Sequence, residues 1–317
     1  MNHSQESTRS ETGARDAGES LRATPSGSPA RAALLEALAV TERSLPLAGV
    51  STAVLEGGEG APILLLHGPA ANATHWRGVI ERLVTHHRVI VPDLPAHGES
   101  QAPSARLEAG FMLRWLDELI ERTCSSPPAV VGHVAGGAIG ARFAIAHSDR
   151  LARLVLVDSF GLSEFRPAPG MESAVTEFLT RPTERSHRDL WQYCARDLSS
   201  LRNRMGNLWE SFEAYNLERA RNASQQGALP GLMEAFAGAI PPDELARIAV
   251  PTVLIWGRHD LATPLSVAEA ASARYGWPLH VIEDANDDPV VEQPEVFGDA
   301  LQWALRDWTA SFDGHAV

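Results

Sequence analysis

The stretch Val130-Val131-Gly132-His133-Val134-Ala135-Gly136-Gly137 constrains this chain more than any other. An apolar, β-branched run breaks at glycine and restarts as a small-residue segment, Ala135 to His147, that reads as a helix. Glycines at 132 and 136 let a strand and its following helix meet in a sharp turn, because no Cβ holds the backbones apart. Such a turn raises one side chain, here Val134, at the edge of a sheet. Valine cannot attack a carbonyl, move a proton or bind a metal, so the scaffold is legible here and the reaction is not.

The flanking sequence supplies the rest of that scaffold. Leu45 to Leu55 alternates apolar and small residues and runs into Gly57-Gly58-Glu59-Gly60, the pattern of a strand and its turn. Ala61 to Leu66 is continuously apolar and ends in His67-Gly68, which fits a strand covered on both faces. Helical spacing from Trp76 to His87 precedes a buried strand at Arg88 to Val91 and a turn-rich loop from Asp93 to Ser100. Leu107 to Cys124 is an amphipathic helix turning Phe111, Trp115, Leu116 and Leu119 inward. Leu151 to Val157, Thr252 to Gly257 and Leu279 to Ile282 are further strands, with helices at Pro264 to Tyr275 and Pro294 to Trp308. This alternation predicts an α/β fold with a mostly parallel central sheet flanked by helices.

Between about residues 162 and 242 the strand signal disappears and aromatics such as Trp191, Trp209 and Phe212 recur at helical spacing. The expected organisation is therefore a core of residues 30–161 and 243–317, a helical cap of 162–242 inserted into it, and a disordered tail of 1–29. The net charge of -13 leaves no excess of cations to neutralise phosphates, which argues against nucleic acid. No apolar run is long enough to suggest a membrane span. Cys124 and Cys194 have neither disulfide nor ligand spacing, which points to a cytoplasmic protein. No metal-ligand cluster or phosphate-binding glycine loop is apparent, so no metal and no cofactor is expected.

Taken in order, the elbow, His67-Gly68, the loop from Asp93 to Ser100 and Gly257-Arg258-His259-Asp260 resemble the α/β-hydrolase superfamily. The likeness covers about residues 45 to 310 and is greatest to capped members such as meta-cleavage product hydrolases and epoxide hydrolases. It implies a nucleophile at the centre of the elbow, an acid at Asp260 and a histidine in the loop after the last strand. This chain has Val134 at the first position and Asp287 at the last, with Asn286 or Asp288 there under a one-residue shift. The implied oxyanion donors are the N–H groups of Ala135 and of position 69, which is Pro69 and has none; Ala70 could replace it. Nucleophile, base and one donor of the acyl-transfer machinery are thus absent.

Asp260, Asp287 and Asp288 remain as candidate catalytic acids or bases, against bland readings as a turn-bonded relic or as solvated loop carboxylates. Val134, Ala135, Pro69, Ala70, His67, His75, Trp76, Phe160 and Trp256 are candidate contacts to a small apolar or aromatic substrate. For His67 the reading as a brace for its loop outweighs a catalytic one, and His133 reads as a buried, hydrogen-bonded imidazole turned away from the elbow side chain. The leading expectation is a non-hydrolytic enzyme catalysing cyclisation, addition or carbon–carbon bond formation on a polycyclic or polyketide-like intermediate of secondary metabolism, such as antibiotic biosynthesis. The alternatives are a non-catalytic pseudo-hydrolase that binds a small molecule or protein, and a hydrolase whose water is activated by one of the three aspartates.

Overall fold

The structure, a computed structural model, describes residues 1, 27–104 and 106–309. The tail expected over 1–29 lies almost wholly outside the described residues, and Pro29 already opens helix α1, Pro29–Leu35, capped by the Ser28 hydroxyl.

Eight strands form one sheet: β1 Thr41–Leu47, β2 Val50–Gly57, β3 Ala61–Leu66, β4 His87–Pro92, β5 Ala129–His133, β6 Arg153–Val157, β7 Thr252–Gly257 and β8 Leu279–Ile282. Their order is β1-β2-β4-β3-β5-β6-β7-β8, antiparallel at β1/β2 and β2/β4 and parallel elsewhere. The continuous apolar run of β3 is buried throughout. Leu64 and Leu66 pack with Trp115 and Phe143 on one face, while Ile63 and Leu65 pack with Trp76 and Phe297 on the other.

The single strand expected from Leu45 to Leu55 is instead a hairpin. Ala48 and Gly49 both take positive φ, at 47° and 83°, and reverse the chain without the Asn-Gly signal that marks such turns.

The helices flanking the sheet are α2 Arg77–Leu83, α3 Ala109–Thr123 and α4 Ala135–Ala146, then α11 Leu265–Tyr275, α12 Pro289–Glu292 and α13 Pro294–Thr309. Trp76 belongs to a preceding 3-10 turn, Ala73–Trp76, and the helix ends at Leu83 instead of running on to His87, where β4 begins. Between β6 and β7 come α5 Pro169–Thr180, α6 Glu184–Cys194, α7 Leu198–Met205, α8 Leu208–Ala220, α9 Ala223–Phe236 and α10 Pro242–Leu245. Trp191, Trp209, Phe212 and Tyr215 form the apolar cluster of these helices, and Leu34 of α1 is inserted among them.

Arg31 links this helical layer to the sheet. It is fully buried and pairs with Asp93 at 2.9 Å and Glu42 at 2.8 Å, and it donates to the Tyr215 hydroxyl at 3.0 Å. Asp93 also accepts from the Ala73 and Glu99 N–H groups, which stabilises its loop as the sequence suggests. The buried cation is matched by anions on every side.

Candidate active site

The elbow is retained in full. Val134 has φ 50° and ψ -110°, a conformation that costs a β-branched residue about 1–3 kcal/mol. It is held by Val134 N–H to the Val157 carbonyl at 3.0 Å and by Phe160 N–H to the Val134 carbonyl at 3.2 Å. A Cβ on Gly132 would lie 2.4 Å from the Gly136 backbone, and one on Gly136 would lie 2.3 Å from the Leu66 oxygen. Both glycines are therefore demanded by the close approach of β5, α4 and β3.

Above Val134 is a cavity of about 210 Å³, walled mainly by apolar side chains from α5, α6 and α9. Phe160, Phe165, Phe178 and Trp191 supply its aromatic surface. Pro69, Ala70, His75, Val134, Phe160, Asp287 and Asp288 all line it. Ala135 is buried just beneath, and none of its neighbours takes its N–H among the described residues. A larger groove of about 840 Å³ crosses α6 and α7 and is lined by the exposed Arg188, Arg196, Arg202 and Arg204. It does not reach the elbow.

Three expected contacts are corrected. His67 is fully buried, accepts from Leu94 N–H at 2.9 Å through Nε2 and donates to the Gly68 carbonyl through Nδ1, so it braces the loop. Trp256 turns away because its indole N–H donates to the Thr263 carbonyl at 2.8 Å. Trp76 packs against Phe297 and the edge of His133, within the core rather than on the cavity wall.

Asp260 is also absent from the wall. Its Oδ1 accepts from Ala262 and Thr263 N–H groups at 2.6 and 2.8 Å, as a turn carboxylate should. It nevertheless lies close enough to a second carboxyl for the two to shift each other's proton affinity: Asp158, which is fully buried at φ 44° and accepts from Gly257 N–H at 2.8 Å. The Oδ2 atoms of both are buried without a hydrogen-bond partner, which disfavours charge on either. Burial raises Asp158 well above the ordinary carboxylate range and pushes Asp260 up to about 7.

Asp287 completes a row of aspartates in the loops after β6, β7 and β8. Burial, then Asp260, Asp288 and Glu292, hold it well above the ordinary range. Asp288 is pushed up to about 7 by burial alone, against the Val291 N–H. Each has an Oδ1 without a hydrogen-bond partner. The loop carrying them is fixed by Glu292, whose carboxylate accepts from Asn286 N–H at 2.7 Å and Arg196 N–H at 2.5 Å. Burial pushes Glu292 itself up to about 7.

Other functional candidates were not singled out by sequence reasoning. His133 faces the cavity instead of turning away, and its Nε2 donates to the Asp287 carbonyl at 2.7 Å. His187 and Asn216 reach the cavity from α6 and α8. Asp158 and Glu292 carried a readable signal: the first follows a strand as Asp260 does, and the second lies in the Pro-x-x-x-Glu-x-Pro-like stretch beside Asp287.

A family profile for the alpha/beta hydrolase fold matches residues 61–294. The chain belongs to that family. Among its relatives, 2-hydroxy-6-oxo-6-(2'-aminophenyl)hexa-2,4-dienoic acid hydrolase of Metapseudomonas resinovorans is 26% identical over 275 residues, covering 83% of this chain and 90% of that protein. The pimeloyl-[acyl-carrier protein] methyl ester esterase of Aeromonas salmonicida is 27% identical over 259 residues, covering 80% and 99%. The solved 2-hydroxy-6-oxo-6-phenylhexa-2,4-dienoate hydrolase of a Rhodococcus species superposes with a TM-score of 0.74 at 21% identity, covering 84% of this chain and 99% of that one.

These relatives overturn the expectation of cyclisation, addition or carbon–carbon bond formation. The proteins similar along most of the chain are a hydrolase and an esterase. No described helix is long and apolar enough to cross a membrane.

Proposed function

We propose that this protein is a hydrolase that activates water directly, without an acyl-enzyme, and acts on an ester or a similarly activated carbonyl compound. The observation that carries the proposal is the placement of Asp287 and Asp288, each with an unpaired carboxyl oxygen, in one apolar cavity with the elbow. The names of the similar hydrolase and esterase supply the reaction class.

Asp288 is the general base, since a carboxylate near pH 7 can accept a proton and release it again. As it takes a proton from water, the water oxygen attacks the carbonyl carbon and the carbonyl oxygen becomes anionic. The Ala135 N–H at the start of α4 is placed to donate to that oxygen. Asp287, which retains its proton, gives it to the departing oxygen as the tetrahedral intermediate collapses. The proton on Asp288 then passes to Asp287 and restores the starting state. Residues 162–242 act as the cap that excludes bulk water, and the two unpaired cysteines favour a cytoplasmic setting.

Single-turnover hydrolysis of a phenyl ester in 18O-water tests the mechanism. The acid product should carry one 18O and the protein none, and a fluorophosphonate should leave the cavity unlabelled. Transfer of 18O from labelled protein carboxyls to the product, or a trapped acyl-enzyme, would refute it. Binding without turnover would point instead to a pseudo-hydrolase.

A further inference from the structure

Besides the Cys194 thiol, the described cavity wall carries two polar groups that differ in kind. Asp287 and Asp288 lie on one side, and His133, His75, His187 and Asn216 extend from the elbow into the cap. His75 is near enough to His133 and His187 for the charge of either to act on it. Among the described residues no arginine faces this cavity, and the chain contains no lysine.

Hydrogen bonds fix the state of each imidazole. His133 donates through Nε2 to a carbonyl, which leaves the Nδ1 lone pair free of a proton. His75 accepts the Asn72 N–H through Nδ1 at 3.4 Å, which puts its own proton on Nε2. His187 places Nδ1 against Glu213 at 3.2 Å and Nε2 against the Asn216 amide nitrogen at 3.2 Å, so it accepts from Asn216 as a neutral ring. Burial lowers His133 to about 4 and His75 and His187 to about 3, and the Glu213 contact is a hydrogen bond rather than an ion pair near neutral pH.

We infer that this cavity selects an uncharged ligand, an aryl or alkyl compound bearing a neutral acceptor oxygen, separate from the reacting carbonyl, to which Asn216 and His75 donate, and rejects the corresponding carboxylate. This deepens the hydrolase reading above and rests on it for the identity of the reacting group. Asn216 has two amide hydrogens, of which His187 takes one and the ligand takes the other. A carboxylate would enter a low-dielectric site without a cation and beside two acids, at a desolvation cost that no partner offsets. The substrate class therefore departs from that of the dienoic acid hydrolase to which the chain is similar.

Three probes of nearly one shape separate the possibilities: acetophenone, cumene and benzoate. None can be hydrolysed, so binding is read independently of turnover, by calorimetry and by quenching of the cavity residue Trp191. Acetophenone should bind, and benzoate should bind at least ~100-fold more weakly at neutral pH. Asn216→Leu should weaken acetophenone about tenfold and leave cumene unchanged, the signature of a lost donor rather than a distorted pocket. Equal or tighter binding of benzoate would overturn the inference, as would failure of all three to bind or an equal loss for acetophenone and cumene in the variant. His75→Leu gives the same comparison if Asn216→Leu fails to fold.

Discussion

Replacing Asp288 by asparagine should separate stability from activity in a way that depends on pH. Burial pushes Asp288 up to about 7 from the 3.8 of an unfolded chain. Below its unfolded value the carboxyl is neutral in both states and costs the fold nothing. As pH rises from about 4 to about 7, the unfolded chain releases the proton while the native protein holds it, so native stability falls and then levels off. Between pH 4.5 and pH 8 this one group should cost the wild type about 3 kcal/mol. Asp288→Asn cannot ionise and escapes that loss. Its own fixed cost, from an amide with imperfect partners, is the same at both pH values and cancels in the comparison. Urea unfolding followed by tryptophan fluorescence should therefore show the variant gaining about 3 kcal/mol on the wild type between those pH values. Hydrolysis should fall at least ~100-fold at pH 8 and by far less at pH 4.5, where the wild-type carboxyl is itself protonated. If the stability difference were the same at both pH values, Asp288 would not be a buried acid in the folded protein. If activity survived, it would not be the base.

The pH profile of kcat should rise through about 7 as Asp288 ionises and fall at higher pH as Asp287 loses its proton; a flat profile would exclude the pair. Val134→Ser should yield neither fluorophosphonate labelling nor a trapped acyl group, because no imidazole stands where the family places its base, and mass spectrometry would detect either. Arg31→Met should destabilise by about 3–5 kcal/mol in chemical unfolding, since Asp93 would remain buried without its cation. Trp115→Ala, which empties a fully buried site and strands the Thr52 hydroxyl that its indole contacts at 3.0 Å, should cost about 3–5 kcal/mol in the same assay.

Most of the sheet could be traced from the sequence because its strands are covered on both faces and carry unbroken apolar runs, as in Ala61–Leu66 and Thr252–Gly257. The β1–β2 hairpin escaped because Ala48 occupies a left-handed position without a side chain that advertises it. At the site, proximity along the chain was readable and orientation was not. Pro69, Ala70 and Val134 follow directly from the elbow and the segment after β3, whereas Trp256 could be placed near the cavity but not seen to turn toward Thr263. His133 is buried and hydrogen-bonded as expected, but its direction differs for the same reason: strand alternation turns it from Val134, whereas β5 ends there and the ring finds the Asp287 carbonyl. Protonation of the aspartates depends on burial by loops that are distant in sequence, so Asp158 could be named only once β6 and β7 stood side by side.

The position of α1 bears on where a working fragment of this protein can be cut. The family match begins at residue 61, well after Arg31, yet Arg31 joins Asp93 in the loop after β4 to Tyr215 of α8, and Leu34 packs among the aromatics of α6 and α8. An expression clone trimmed to the matched region would lose β1, β2 and α13 as well as this clasp. It would leave Asp93 as an unmatched anion and expose an edge of the helical layer, so it should be judged by solubility before it is ever judged by activity. The boundary of resemblance and the boundary of the folding unit are different places on this chain, separated by one buried guanidinium.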